Sequence, residues 1–118
     1  MWELEVTDQF TEWWVSLTSD QQESVADRVD LLAERGPDLG RPVVDRIEGS
    51  RHHNMKELRA SQSGILRVLF MFDPPRQIVL LLGGDKTGRW NEWYRWAVPL
   101  ADVLYDEYLD ELEKEGLI

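Results

Sequence analysis

Two apolar runs separated by a short polar turn constrain the fold of this chain more than any other feature. The runs extend from Ile65 to Phe72 and from Gln77 to Leu82, and both are rich in branched and aromatic side chains. Asp73-Pro74-Pro75-Arg76 lies between them and has the composition of a tight turn. Long apolar strands of this kind belong in the middle of a sheet. We therefore predict a central β-hairpin that the remaining elements must cover.

The N-terminal segment changes from a strand pattern to a helical pattern. Trp2 to Val6 alternates apolar and acidic side chains, which predicts a strand with one buried face. Thr7 or Asp8 can then cap the start of a helix. That helix is predicted from four apolar residues at positions i, i+3, i+4 and i+7: Phe10, Trp13, Trp14 and Leu17.

A second helix follows after a short break at Thr18. It is predicted to follow Ser19, whose spacing to Gln22 suits a capping box, and to end at Gly36-Pro37. The two helices therefore form a hairpin. Residues 37–50 contain glycine, proline and scattered charges, and we predict that they form a connecting loop.

Three further segments complete the prediction. Asn54 to Arg59 is a short polar strand candidate, residues 83–88 are rich in glycine and predicted to be flexible, and a final amphipathic helix begins at Pro99. The order of elements predicts one α+β domain over residues 1–118, because a chain of this length normally forms a single core. It consists of an antiparallel sheet with the N-terminal helical hairpin packed on one face, and a C-terminal helix.

This layout leaves the second face of the sheet open. Strand alternation places Arg67 on that open face with Leu69 and Met71, opposite the core-facing residues Leu66, Val68, Phe70 and Phe72. A guanidinium in the middle of a sheet costs free energy unless an anion meets it. Arg67 is therefore a candidate anion-binding residue.

Charge is segregated along the chain. The formal net charge is −10, and as an average it disfavours nucleic acid, whose phosphates select positive surfaces. Residues 41–95, however, carry ten basic and six acidic side chains, a net of +4, whereas the segments on either side are acidic. The chain has no cysteine, which excludes disulfides, thiolate zinc sites and thiol nucleophiles. No segment is apolar enough to span a membrane, and we expect a cytoplasmic protein.

Three motifs in a fixed order carry a family resemblance. They are Gly-Ser-Arg-x-x-x-Met-Lys-Glu-Leu-Arg at residues 49–59, Arg-Val-Leu-Phe-x-Phe-Asp-Pro at residues 67–74, and Leu-Leu-Gly-Gly-Asp-Lys at residues 81–86. With the order of strands and helices, they resemble the RelE/HigB superfamily of toxins from type II toxin–antitoxin systems, in particular its phage-derived, HigB-like branch. The resemblance covers most of the chain and implies a RelE-like fold.

The resemblance also implies an activity. Members of the family are endoribonucleases that cut messenger RNA, usually on the ribosome, and are silenced by a cognate antitoxin that is commonly a helix-turn-helix protein. The family uses no metal or organic cofactor. Its chemistry is attack of a ribose 2′-hydroxyl on the adjacent phosphate, which needs a base, cations that stabilise the transition state, and an acid for the 5′-oxygen.

The resemblance assigns site residues position by position. Arg67 would bind the scissile phosphate, and Lys86 would stabilise the leaving oxygen. Lys56 would activate the 2′-hydroxyl, with Arg59 beside it on the same predicted strand. Glu57 would act as a general base, or would orient Arg59 or Arg67 through a salt bridge. This chain has one lysine where many relatives have two adjacent basic residues. Relatives also often have a tyrosine or histidine at the position of the general acid, whereas Trp90, Trp93, Tyr94 and Trp96 crowd that region without a one-to-one match, so the general acid stays open.

Six further residues are candidates for contacting RNA: Arg51, His53, Arg76, Arg89, Trp93 and Tyr94. Aromatic side chains can stack on nucleobases. The spacing of Trp90, Trp93 and Trp96 by three residues favours positions in the core or at an antitoxin interface over base stacking. The neighbouring His52 and His53 have no third ligand in view, so no metal site is predicted. The acidic residues of the last helix are expected to be solvated or to dock a basic partner.

A second hypothesis belongs to another functional class. The negative average charge and the missing second basic residue are also consistent with a degenerate toxin that keeps the fold and the antitoxin interface but has lost catalysis. Mapping of mRNA cleavage sites during expression separates the two hypotheses, because discrete cuts exclude the degenerate form.

Overall fold

The computed structural model describes residues 1–73 and 76–118, which form a five-stranded sheet covered by helices on both faces. The sheet order is β1-β5-β4-β3-β2. The strands are β1 (Glu3–Val6), β2 (Val44–Arg46), β3 (Lys56–Ser61), β4 (Ile65–Asp73) and β5 (Gln77–Asp85). The helices are α1 (Asp8–Ser16), α2 (Ser19–Arg35) and α3 (Trp90–Lys114), with a short 3-10 turn at Gly36–Asp38.

The predicted central hairpin is present as strands β4 and β5. They pair antiparallel from Leu66 opposite Asp85 to Asp73 opposite Gln77, with one irregularity between Leu69 and Phe70. Residues 74 and 75 of the predicted turn lie outside the described residues. The pair β3–β4 is antiparallel as predicted. β2, which lies in the predicted loop, also pairs antiparallel with β3, whereas β1 pairs parallel to β5, so the sheet is mixed. The α+β class is confirmed.

Threonine residues cap the two N-terminal helices. Thr7 caps α1 by accepting the backbone N–H of Phe10 at 3.0 Å. The capping box of α2 is formed by Thr18 and Gln21, one residue earlier than the predicted Ser19 and Gln22 pair. Each side chain of the true pair accepts the backbone N–H of the other, which satisfies two donors at the helix start.

The second face of the sheet is not open, contrary to the prediction. Helix α3 begins at Trp90, well before Pro99, and lies across that face. Its residues Trp93, Ala97 and Ala101 form a second core with Met55, just before β3, and with the α3-facing side chains of the sheet, which include Leu69, Met71, Val79 and Leu81. The first core lies on the opposite face, under α1 and α2. The described helices include none that is long and apolar enough to cross a membrane.

Two segments predicted to be irregular contain strand residues. Val44–Arg46, inside the predicted loop, pairs with β3 at the edge of the sheet. Gly83 and Gly84, inside the predicted flexible segment, belong to β5 and are buried. A Cβ atom at Gly83 would collide with the ring of Trp13, and one at Gly84 would collide with the ring of Trp93. The glycine pair therefore lets one indole approach the strand from each face.

Candidate functional site

Two arginines and one carboxylate meet on the face of the sheet that α3 covers. Arg59 on β3 lies directly opposite Arg67 on β4, an arrangement that is repulsive for two like charges. Glu57 stands beside both, with only 3 % of its surface exposed. The Arg59 Nε–H donates to Glu57 Oε1 at 3.2 Å, and the Arg67 Nε lies 3.7 Å from the same oxygen. The carboxylate thus stabilises the two guanidinium groups next to each other.

A tyrosine on α3 and a lysine at the end of β5 complete this group. The Tyr94 hydroxyl, in the second turn of α3, donates to Glu57 Oε2 at 2.6 Å. The Lys86 Nζ, just beyond β5, donates to the Tyr94 oxygen at 3.1 Å. We call these five residues the basic cluster: Glu57, Arg59, Arg67, Lys86 and Tyr94.

The cluster carries more positive than negative charge. Arg59 is further neutralised by Asp45, whose carboxylate lies 3.0 Å from its Nη2. Arg67 and Lys86 share the remaining carboxylate charge of Glu57 and have no other acidic partner within the described residues. An anion placed between them would be attracted by both.

Burial changes the protonation of two cluster residues. Burial and the nearby Arg67 lower the pKa of Lys86, and Glu57 only partly opposes this. Burial together with the hydrogen bond to Glu57 raises the pKa of Tyr94 to about 12. At neutral pH the phenol is therefore a neutral hydrogen-bond donor, and Lys86 holds its proton less firmly than an ordinary lysine does.

Arg67 has donors to spare. Its side chain is 13 % exposed, and its Nη1 donates to the carbonyl oxygen of Leu66 at 2.9 Å. Within the described residues its buried Nε has no hydrogen-bond partner. A guanidinium carries five N–H donors in a fixed fork. The unused donors suit an oxyanion with more than one oxygen, such as a phosphate.

A cleft of about 450 Å³ opens beside the cluster. Glu57 and Tyr94 form part of its wall, the turn at Ile47–Gly49 forms another part, and α3 closes it with Asn91, Arg95, Val98 and Pro99. Arg46 and Arg95 add positive charge to its lining. The sequence motifs did not single out these two arginines or Asn91, since they come together only when β2 and α3 pack around the cluster.

Lys56 does not belong to the cluster, contrary to its assignment from the resemblance. It precedes Glu57 on β3, so its side chain is directed to the opposite face of the sheet. There its Nζ lies 5.4 Å from the centre of the Phe72 ring, which packs against the core under α1 and α2. Strand alternation alone predicts that Lys56 and Glu57 face opposite sides of the sheet, because the two residues are adjacent in the strand.

The candidate RNA contacts are scattered. Tyr94 is in the cluster, and Arg89 is near it, donating to the Asp85 carbonyl at 2.9 Å. Trp93 is fully buried in the α3 core and therefore cannot reach RNA. Arg76 stacks on the Trp2 ring at 5.0 Å, away from the cluster. His53 lies exposed in the turn before β3.

Arg51 takes part in a group of hydrogen bonds, here called the anchor, that joins the turn before β3 to helix α3. The buried Asp102 accepts the Ser50 hydroxyl at 2.5 Å and the Arg51 backbone N–H at 3.0 Å. Asp106 accepts Arg51 Nη2 at 2.6 Å and contacts His52 Nε2 at 2.9 Å. Asp102 therefore departs from the predicted solvated acidic series. Within the described residues no group of acidic or histidine side chains is arranged to hold a metal ion.

The anchor predicts a pH effect on stability. Hydrogen bonds from Arg51 and His52 hold the pKa of Asp106 below its ordinary value of 3.8. The folded state therefore binds this proton less readily than the unfolded state, and the stabilisation is present above the unfolded pKa and lost as pH falls through the folded pKa. Asp106→Asn should flatten the dependence of the free energy of unfolding on pH below about pH 4, measured by urea unfolding. Asp110→Asn on the same helix is the control and should keep the parent's slope.

Known proteins similar to this chain belong to the family that the sequence motifs and the fold indicate. A family model described as phage-derived protein Gp49-like matches residues 12–106. A Mycobacterium tuberculosis protein named as the toxin HigB3 is 50% identical over 101 residues, which cover 86% of this chain and 88% of that relative. A second protein of that organism, named as the toxin HigB2, is 42% identical over 108 residues. They cover 90% of this chain but 54% of HigB2, so the chain spans about half of that relative.

Solved structures show the same fold. The free E. coli toxin RelE, as a mutant, superposes with a TM-score of 0.61 at 15% identity, covering 83% of this chain and 95% of RelE. The archaeal RelE–RelB complex of Pyrococcus horikoshii gives a TM-score of 0.55 at 21% identity, covering 75% of this chain and 97% of the matched one. Sequence relatives and fold together show that the chain belongs to the Gp49-like, HigB-like branch of the RelE/HigB toxin superfamily.

Proposed function

We propose that this toxin-family protein is an endoribonuclease that cleaves messenger RNA on the ribosome without a metal. The observation that carries the proposal is the pairing of Arg67 and Lys86 around one buried carboxylate, with the Tyr94 phenol between Lys86 and Glu57. This arrangement offers an excess of positive charge and a neutral donor where a phosphate can dock. Positioned cations of this kind stabilise the charge that develops on a phosphate under attack.

The reaction needs no external reagent. The ribose 2′-oxygen attacks the adjacent phosphorus and gives its proton to solvent water, a P–O bond to the 2′-oxygen forms, and the P–O5′ bond breaks. The 5′-oxygen takes up a proton. One fragment then ends in a 2′,3′-cyclic phosphate and the other begins with a 5′-hydroxyl.

The geometry suggests how the cluster residues divide this work. Arg67, whose Nε is buried and whose side chain is 13 % exposed, binds the non-bridging phosphate oxygens through the N–H groups at the end of its guanidinium. Lys86, whose pKa burial lowers, is suited to give its proton to the 5′-oxygen. Glu57 already accepts hydrogen bonds from Tyr94 and Arg59, so it acts as a positioning residue. Tyr94 keeps its proton at neutral pH and serves as a hydrogen-bond donor.

The partners follow from the same proposal. RelE proteins have been solved as complexes with RelB antitoxins from E. coli and from Pyrococcus horikoshii. We accordingly propose a cognate antitoxin as a partner here, with messenger RNA and the cytoplasmic ribosome as the other two. The net charge of −10 disfavours free RNA at long range, whereas the ribosome can present the strand directly to the cluster.

Expression without an antitoxin tests the proposal. Induction should stop growth, and mapping of mRNA ends should show discrete cuts with 5′-hydroxyl termini. The double variant Arg67→Ala with Lys86→Ala should restore growth and remove the cuts. If the double variant is expressed in soluble form and cuts as the parent does, the cluster is not the site. Growth arrest without cuts would instead support the degenerate, antitoxin-binding toxin.

A further inference from the structure

The outer edge of β1 is an unpaired strand edge. β1 is the outermost strand at one edge of the sheet, and within the described residues β5 is its one strand neighbour. Glu3 and Thr7 donate their backbone N–H groups toward the β5 side, to Arg76 and Leu80 at 3.1 Å each. Because N–H directions alternate along a strand, Leu4 and Val6 direct their backbone polar groups outward. Such an edge is a template for an added strand.

An apolar groove lies on one side of this edge. Its volume is about 280 Å³, and Leu4 and Val6 form its border with 41 % and 50 % of their surfaces exposed. The rest of the lining comes mainly from α1 and α2: Phe10, Thr11, Trp14, Ala26, Val29, Asp30 and, on β5, Leu80. Apolar surface of this kind favours apolar side chains from a strand laid along β1.

An acidic groove lies on the other side of the same edge. Its volume is about 460 Å³, and it runs between the start of α1 and the second half of α3. Five carboxylates line it: Glu5, Asp8, Glu107, Glu111 and Glu115. None of the described lining residues is basic, and none of the five carboxylates forms an ion pair with a described residue. Lysine or arginine side chains would fit this face of the edge.

The two grooves select one pattern of occupant. A strand directs successive side chains to opposite faces, so a segment that alternates apolar and basic residues would fill both grooves at once. We propose that the β1 edge binds an extended segment of a partner polypeptide, with alternating apolar and Lys or Arg side chains, as a sixth strand. A second copy of this chain fits poorly, because it would bring Glu3 and Glu5 of β1 against the same acidic residues.

The surface is separate from the basic cluster. β1 pairs with Gln77 to Leu80 in the first half of β5, whereas Arg67 lies opposite Gly84 near the other end of β5 and Lys86 follows that end. Peptide binding can therefore be measured on the purified full chain, whether or not it cleaves RNA.

A designed peptide tests the proposal directly. The probe is an eight-residue peptide that alternates valine and lysine, and the control has the same composition with its valines and lysines in two blocks. The alternating peptide should bind at least tenfold more tightly by isothermal titration. It should also slow hydrogen exchange at the amides of Leu4 and Val6. Equal affinity for the two peptides, or unprotected Leu4 and Val6 amides, would overturn the proposal.

Matched charge reversals locate the binding surface. Glu107→Lys with Glu111→Lys changes the acidic groove and should weaken binding of the alternating peptide at least tenfold. Asp110→Lys with Glu113→Lys makes the same charge change on the same helix outside the groove and should leave the affinity within twofold of the parent. Equal losses in the two pairs would show that net charge alone attracts the peptide. Protection of Leu4 and Val6 in concentrated protein without peptide would assign the edge to a second copy, and that too would overturn the proposal.

Discussion

Replacing Lys86 with methionine should lower the rate of mRNA cleavage by about two to three orders of magnitude, the loss typical of removing one positioned donor from a charged transition state. The ammonium lies 3.1 Å from the Tyr94 oxygen and belongs to the group around Glu57. Methionine is shorter than lysine by the terminal ammonium alone, so the change removes chiefly the charge and its donors. The measurement is the initial rate of cutting on programmed ribosomes, with the melting temperature recorded for each variant.

Lys56→Met is the matched control for that experiment. It makes the same chemical change at a half-buried lysine of the same sheet, but on the face that packs toward α1 and α2. Its cleavage rate should equal the parent's. Should Lys56→Met lose as much activity as Lys86→Met while both proteins stay folded, the RNA would have to meet the other face of the sheet.

The placement of Lys56 shows what the sequence motifs predict about the site and what they do not. The motif Met-Lys-Glu-Leu-Arg marks the segment that carries the site, but it does not say which side chain faces it. The alternation of β3 settles that point: Leu58 is in the core under α1 and α2, so Glu57 and Arg59 face α3 and Lys56 does not. Strand alternation is therefore sufficient to place Lys56, whereas the family pattern is not.

The central hairpin was predictable because its signal is local. Branched and aromatic residues over β4 and β5 favour strands wherever they are placed, and the turn between them restricts the pairing to a hairpin. The parallel pairing of β1 with β5 was not predictable in this way, since it joins segments more than 70 residues apart.

The start of α3 was missed because proline is a favoured first-turn residue. Pro99 lies instead inside the helix, where it costs the hydrogen bond that its N–H would have donated. The cost is offset by burial of Trp93, Ala97 and Ala101 against the sheet. That compensation depends on Gly84, which leaves room for the Trp93 ring on β5. Sequence periodicity cannot report such a contact between distant segments. Without the contact between α3 and β5, the face of the sheet that carries Arg67 is predicted to be open.

Trp93→Ala should reduce the free energy of unfolding by about 3–5 kcal/mol, the range for deleting a large aromatic side chain from a core. The ring is fully buried and packs in the α3 core. That loss is a large share of the total stability of a domain, which is about 5–15 kcal/mol. Urea unfolding measures it. Trp93→Phe should cost less, because it keeps a ring and removes an indole N–H that has no hydrogen-bond partner among the described residues.

Trp96→Ala is the control, three residues further along the same helix. Its side chain is 46 % exposed and contacts Trp93 edge to face at 6.0 Å, so the expected cost is about 1 kcal/mol, the size of one aromatic pair. The comparison also decides what Trp93 does. A core role predicts that RNA cleavage by Trp93→Phe stays at the parent's level once the protein is folded. If Trp93→Ala kept the parent's stability and lost RNA binding, Trp93 would be the nucleobase contact that its sequence position suggests, and the packing of α3 on Gly84 would have to open to expose it.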